Sequence, residues 1–353
     1  MSSEFSRLKK VLALVFSLGL MTSCTPGNSP EQSNSASNPN SPATSSPRLK
    51  VVATTTILCD IVQKVARETV DLTCLLKPGV DGHVYEPLPS DRKAIEDAKL
   101  IFYSGYDFEP SLIKLIQSTS NPAPKIAVAE KAVPKPLMGE EHHHHGDEHN
   151  EQPEQANEKA GEEENVADPH VWQNAANGAQ MVAVVEANLS KAMPESASQY
   201  AQNAQSLKTE LLEIHRWVQA QVATIPESAR RLVTTHEAMG YYSNAYAIPV
   251  EGALQGISTE EKPTASRIKE LVEEVKATGV PTIFAEVVVN PKLINTVAKE
   301  AQVKVSDRPL YTDSIGESGS EADSYPKMLI ANTRTIVEGL NGKYVAFQAP
   351  ANE

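Results

Sequence analysis

One pattern constrains this chain more than any other, and it occurs twice: short apolar runs separated by stretches of helical period. Leu49–Thr54 reads as a strand, Ile57–Ala66 as a helix, Asp71–Leu76 as a strand, Ser90–Ala98 as a helix and Leu100–Tyr103 as a strand. The scheme returns after residue 226. Arg231–Thr235 reads as a strand, Glu237–Tyr246 as a helix and Ile248–Gly252 as a strand; a helix opened by Pro263 runs to Thr278 with Gly279 just beyond it, followed by a strand over Thr282–Glu286 and a helix over Pro291–Ala301. Short strands alternating with helices in this way predict parallel sheets covered by helices on both faces. The expected fold class is α/β, in two halves.

Between the halves lies Pro194–Ile225, rich in Ala, Gln, Leu and Glu, with Leu207, Leu211, Ile214, Val218 and Val222 at helical spacing and prolines at 194 and 226 bracketing it. A helix over most of this stretch is ~40 Å long at 1.5 Å per residue, enough to run across two small domains as a stiff spacer. His215 lies on it and is assigned no role. The organisation expected is therefore an N-terminal lobe over 48–193, a linking helix over 194–225 and a C-terminal lobe over 226–353.

Residues 1–47 read as an address. Arg7, Lys9 and Lys10 precede an apolar run from Val11 to Met21 that is too short for a bilayer span of roughly 20 residues, as in a secretory signal. Its end, Leu20-Met21-Thr22-Ser23-Cys24, resembles a bacterial lipobox, with Met21 where Leu is usual; the expectation is a signal peptide over 1–23, lipidation of Cys24 and a lipid-anchored, exported protein. Thr25–Pro47 is mostly Ser, Pro and Asn with no aliphatic larger than Ala, so it reads as a flexible tether holding the body about 25–30 Å from the membrane. With Cys24 lipidated, Cys59 and Cys74 remain, an even pair in an oxidising compartment. A disulfide between them would close a loop of about 15 residues and stabilise the fold by ~3 kcal/mol; two buried free thiols are the alternative.

The formal charge is −13, and no basic stripe accompanies it, which argues against nucleic acid or an anionic lipid surface as a partner held by charge. The acid is concentrated. Gly139–Asn165 holds ten acidic residues, one Lys and five of the nine histidines, at 142, 143, 144, 145 and 149. This segment has no apolar periodicity and reads as a solvated insertion whose His142, His143, His144, His145 and His149 form an auxiliary weak metal loop, or merely a solubilising one.

Three of the remaining histidines and one aspartate stand where an open α/β sheet places its functional groups. His83 lies in the loop after the strand ending at Leu76, His170 precedes a helix, His236 follows the strand ending at Thr235, and Asp313 follows a short strand at Val303–Val305. Ligands bind outside the carboxyl ends of such strands, so the four side chains can meet in one crevice. Glu286, at the end of a buried strand facing the same crevice, is a candidate acceptor for a ligand N–H. A zinc hydrolase is the competing class. His236-Glu237 opens like a His-Glu-x-x-His helix, but Gly240 occupies the fifth position, and four protein donors leave no open place for water.

The four segments Lys77-Pro78-Gly79-Val80-Asp81-Gly82-His83-Val84-Tyr85-Glu86-Pro87, Asp168-Pro169-His170-Val171-Trp172, Thr235-His236-Glu237-Ala238-Met239-Gly240-Tyr241-Tyr242 and Tyr311-Thr312-Asp313-Ser314-Ile315 resemble, in order and spacing, the metal-ligand motifs of the ZnuA/TroA family, the zinc or manganese receptors of bacterial ABC metal importers. The resemblance covers nearly everything from Leu49 to Leu340. It implies two (β/α)4 lobes with parallel sheets joined by one long rigid helix, and a metal between them held by His83, His170, His236 and Asp313. Gly82 departs from the common Asp-Pro-His form of the first motif, which implies a looser loop there.

Three neutral imidazoles and a carboxylate suit tetrahedral Zn²⁺, whereas Mn²⁺ prefers more oxygen. The resemblance adds that manganese receptors typically carry Glu where His236 stands and that acidic His-rich insertions mark zinc members. The expectation is thus a monomeric, non-enzymatic receptor that carries Zn²⁺ to a membrane permease of an ABC importer. A manganese or iron receptor of the same class, or a metal-binding surface adhesin, is the alternative.

Overall fold

A computed structural model describes residues 48–141, 164–260 and 262–349. Residues 1–47, read above as a signal peptide, Cys24 and a tether, and His142, His143, His144, His145 and His149 lie outside the described residues.

The first half is built from β1 (Leu49–Ala53), α1 (Thr56–Ala66), β2 (Val70–Cys74), α2 (Pro89–Asp97), β3 (Leu100–Tyr103), α3 (Pro110–Ser118), β4 (Lys125–Ala127) and α4 (Val128–Ala132). Its four strands are parallel, in the order β2-β1-β3-β4, with Val51 between Leu72 and Leu100. Side-chain alternation explains the apolar runs: Val51, Ala53, Leu100 and Phe102 enter one core, while Val52 and Ile101 enter another on the opposite face. β2 ends at Cys74, but the N–H groups of Leu75 and Leu76 still bond the carbonyls of Ala53 and Thr54. Thr55 caps α1, its hydroxyl accepting Leu58 N–H at 3.2 Å, and Pro89 and Pro110 open α2 and α3, where a missing N–H does no harm. Cys59 in α1 and Cys74 form a disulfide, with Cα atoms 5.8 Å apart.

An antiparallel pair, β5 (Met138–Glu141) and β6 (Glu164–Ala167), forms the stem on which the acidic insertion is carried, Met138 standing opposite Ala167. Next come α5 (Ala175–Ala192), capped by Asn174, and α6 (Ala197–Val222). α6 has 26 residues and is therefore ~39 Å long. It is shorter than the reading of 194–225 because Pro194–Ser196 forms a separate 3₁₀ turn and the last turn closes before Pro226. It leans on both halves: Asn203 donates to Val65 O in α1, and Trp217 to Val345 O near the C-terminus.

The second half comprises β7 (Leu232–His236), α7 (Gly240–Tyr246), β8 (Val250–Gln255), α8 (Ala265–Thr278), β9 (Thr282–Ile283), α9 (Lys292–Ala301), β10 (Lys304–Val305) and α10 (Tyr325–Gly339). β7 pairs with β8 and β9 with β10, all parallel, and Phe284 N–H to Val233 O at 3.0 Å joins the pairs. The order β8-β7-β9-β10 repeats that of the first half. α7 begins at Gly240 rather than Glu237 because Glu237 N–H is drawn to Gly256 O and Ala238 N–H to His236 O, which turns the chain before it coils. β8 lies later than Ile248–Gly252, since Ile248 N–H still closes the preceding helix on Ser243 O. Thr264, one residue past Pro263, caps α8, and Gly279 ends it at φ +65°, where a side chain is disfavoured. Of the strand read over Thr282–Glu286, Thr282 and Ile283 pair with β10; beyond them Leu310 N–H bonds Ala285 O, and Glu286 forms a parallel bridge to Leu310.

A single apolar core runs from β1 and α1 through α5 and α6 into α7 and α10, with Val62, Val182, Leu211, Ile214, Tyr242 and Ile336 among its members. Smaller cores cover the outer face of each sheet. No described helix is long and apolar enough to cross a membrane.

Candidate metal centre

The four candidates meet. One donor atom each of His83, His170, His236 and Asp313 lies within 4.8 Å of every other. His83 Nε2 is 3.3 Å from His170 Nε2; Asp313 Oδ1 is 3.5 Å from His170 Nε2, and its Oδ2 is 3.3 Å from His236 Nε2 and 3.9 Å from His83 Nε2. Bonds of ~2.0–2.1 Å to a tetrahedral ion place ligand atoms about 3.3 Å apart, close to three of these spacings. His170 and His236 have no exposure, Asp313 2% and His83 5%. His236 Nε2 and both Asp313 oxygens make no hydrogen bond within the protein, which buried polar atoms rarely tolerate unless something else satisfies them.

Each side chain is aimed by its neighbours. His236 is the last residue of β7, and its Nδ1–H is taken by Glu286 Oε2. Glu286 Oε1 also accepts the N–H groups of Thr235 (2.8 Å) and His236 (2.9 Å), while the Thr312 hydroxyl donates to Oε2 at 3.0 Å. Asp168 Oδ1 serves His170 in the same way, accepting its backbone N–H and its Nδ1–H, both at 2.9 Å. A carboxylate bonded to Nδ1 leaves Nε2 with a free lone pair pointing at the cleft, which is what a metal requires. Asp168 was not singled out from sequence, although a carboxylate two residues before a ligand histidine can close such a turn. His215 stands apart, bonded to Tyr246 and Gln219.

Gly82 does not loosen its loop. The residue is buried, and a Cβ there would lie 2.6 Å from the Phe108 ring; the glycine lets that ring stand edge-on to His83 at 4.7 Å and to Trp172 at 4.9 Å. Asp313 is positioned from both halves. Asn332 in α10 brackets the backbone of Tyr311, while Trp172 Nε1 and Gln173 Nε2 donate to Thr312 O at 2.7 and 2.6 Å.

Without an ion the site is electrostatically uneven. Burial drives the His83 pKa down to about 3, with Asp313 opposing and the other imidazoles reinforcing. Burial also works against charge on His236, but the Glu286 and Asp313 carboxylates outweigh it and hold its pKa well above that of a free imidazole. The Asp313 carboxyl, although burial disfavours its charge, is kept far below the usual carboxylate range by His236, His170 and His83.

Residues 51–339 match the family described as ZnuA, the periplasmic component A of a zinc-uptake complex. The manganese-binding lipoprotein MntA of Bacillus subtilis is 32% identical over 297 residues, covering 83% of this chain and 90% of that one. The manganese ABC transporter substrate-binding lipoprotein PsaA of Streptococcus pneumoniae is 33% identical over 303 residues, covering 84% and 91%. Among solved structures, the periplasmic zinc binding protein TroA from Treponema pallidum superposes with a TM-score of 0.73 at 28% identity, over 84% of this chain and 99% of that one. The chain therefore belongs to the ZnuA family of metal-binding receptors, the substrate-binding components of ABC importers, which are transport proteins and not enzymes.

Proposed function

We propose that the protein captures Zn²⁺ outside the cytoplasm, with His83, His170, His236 and Asp313 as its ligands, and delivers it to the permease of an ABC importer. The observation that carries the choice of zinc is the donor set: three imidazole nitrogens and one carboxylate, at tetrahedral spacing and closed off from water. Glu286 and Asp168 fix the imidazole tautomers without supplying donors of their own. In this reading residues 48–193 and 226–353 contribute two ligands each, so that capture draws the lobes together and release needs only a small separation. Lipidation at Cys24 and the tether would keep the monomer beside its permease, and the histidines at 142–145 and 149 would hold further metal weakly.

Manganese is the second reading. The relatives from Bacillus subtilis and Streptococcus pneumoniae are named for it, and the two free oxygens of Asp313 allow a fifth coordination position. Metal analysis of the protein after exposure to equal Zn²⁺ and Mn²⁺ decides between them. Retention of one tightly held Zn²⁺ is expected; preferential retention of Mn²⁺ would reverse the assignment.

A further inference from the structure

The loop that carries His83 is fastened to the opposite half at two points, neither of which is a metal donor. Gly79 N–H donates to Ser314 Oγ at 2.9 Å, and the Thr259 hydroxyl donates to Asp81 Oδ2 at 2.6 Å. The other oxygen of Asp81 accepts the N–H of His83 itself at 3.0 Å. Thr259 lies in the loop after β8, whose Gly256 carbonyl accepts the N–H of Glu237, the residue following His236, at 3.1 Å. The Gln255 side chain ties the same loop by donating to Thr259 O at 3.0 Å. Behind it, Ile257 is buried against Gly139 in the hairpin stem, where any added side chain would collide with it. A path of hydrogen bonds and short backbone thus leads from beside His236, through Gly256 and Thr259, to Asp81 and His83.

We infer that Asp81 and Thr259 form a latch between the two halves that slows release of the ion: they are positioning residues that hold His83 against the donors of the other lobe. This inference rests on the reading that His83 and His236 share one ion. For the ion to leave, His83 must draw away from His236 and Asp313, and that movement has to break the Asp81–Thr259 bond. The bond forms only when the halves are together, so its removal raises the rate of release while the donors stay the same.

The test uses the full chain loaded with Zn²⁺, with release followed by rapid mixing with excess chromophoric chelator. Thr259→Val keeps the volume and removes the donor; release is expected to become about 10–100-fold faster, the value of a hydrogen bond to a charged acceptor. Thr259→Ser keeps the donor and should stay within about twofold of the parent, and Asp81→Asn, which weakens the acceptor, should fall between. The Co²⁺ absorption spectrum of Thr259→Val should match that of the parent, since the ligands are unchanged. Release from both Thr259→Val and Asp81→Asn at the parent rate would overturn the latch, as would a changed Co²⁺ spectrum in Thr259→Val, which would place the hydroxyl in shaping the ligand set. A parent protein that takes up neither Zn²⁺ nor Co²⁺ would refute the shared site on which the latch stands.

Discussion

Exchanging Glu286 for Gln changes one atom and tests how His236 is aimed. Every group around the carboxylate is a donor: the N–H groups of Thr235 and His236 at Oε1, and the His236 Nδ1–H and Thr312 hydroxyl at Oε2. An amide can present only one oxygen to these four. Turned toward Thr235 and His236, its oxygen keeps the two backbone bonds and its NH₂ faces the imidazole. His236 must then accept at Nδ1, which moves the ring proton to Nε2, the atom that should bind the ion. The Thr312 hydroxyl can rotate and accept, so the loss is concentrated on the histidine. Removing such an orienting partner typically weakens metal affinity 10–100-fold, about 1.4–2.8 kcal/mol. Competition for Zn²⁺ against a chromophoric chelator measures it directly, and the melting temperature of the metal-free variant reports whether the fold survives. An intact Glu286→Gln protein that binds Zn²⁺ within about threefold of the parent would refute the argument that Glu286 sets the tautomer.

Four further outcomes can be measured. Because the Glu286 and Asp313 carboxylates hold the His236 pKa well above that of a free imidazole in the metal-free site, binding of Zn²⁺ at its Nε2 should release protons; calorimetry in buffers of differing ionisation enthalpy measures this, and no proton release would contradict it. The signs then separate. The raised His236 pKa contributes stability to the metal-free fold that is complete below ~6.5 and is lost as pH rises through the higher folded value, while Zn²⁺ affinity increases over that same rise. His83 acts oppositely at acid pH, its depressed pKa eroding stability from ~6.5 down toward about 3. Gly82→Ala should destabilise the protein by about 1–3 kcal/mol through its collision with Phe108, read as a lower melting temperature, with an unshifted melt counting against that packing. Replacing both Cys59 and Cys74 with Ser should cost about 3 kcal/mol for a 15-residue loop in denaturant titration, and equal stability would show that the bridge contributes nothing.

What the sequence made legible was whatever is local and periodic. The buried stripe of α6 follows from its spacing; His236 closes β7 and His170 precedes a short helical turn, while His83 and Asp313 lie in loops that follow strands the pattern reveals. Glu286 was visible for the same reason, as the polar end of an apolar strand. Elements with little pattern were not. β4 has three residues and α4 five, too few to show a period, and α10 buries Asn332, Thr333 and Thr335, polar side chains that blur its apolar face. The true start of α7 depends on Gly256, and the value of Gly82 depends on Phe108 packing against it. Contacts such as Thr259 with Asp81, 178 positions apart, leave no trace in either segment alone.

The unbroken core that passes from β1 through α6 to α10 also fixes how the chain comes apart. Neither half owns the apolar layer that covers its inner face, so severing the chain beyond α6 would strip both of shelter. Heating should accordingly melt the two together, in one transition. An ion held between them as proposed would bind only the assembled form and so protect the whole body by mass action. Resistance to heat or protease in this receptor thus becomes a gauge of how full it is.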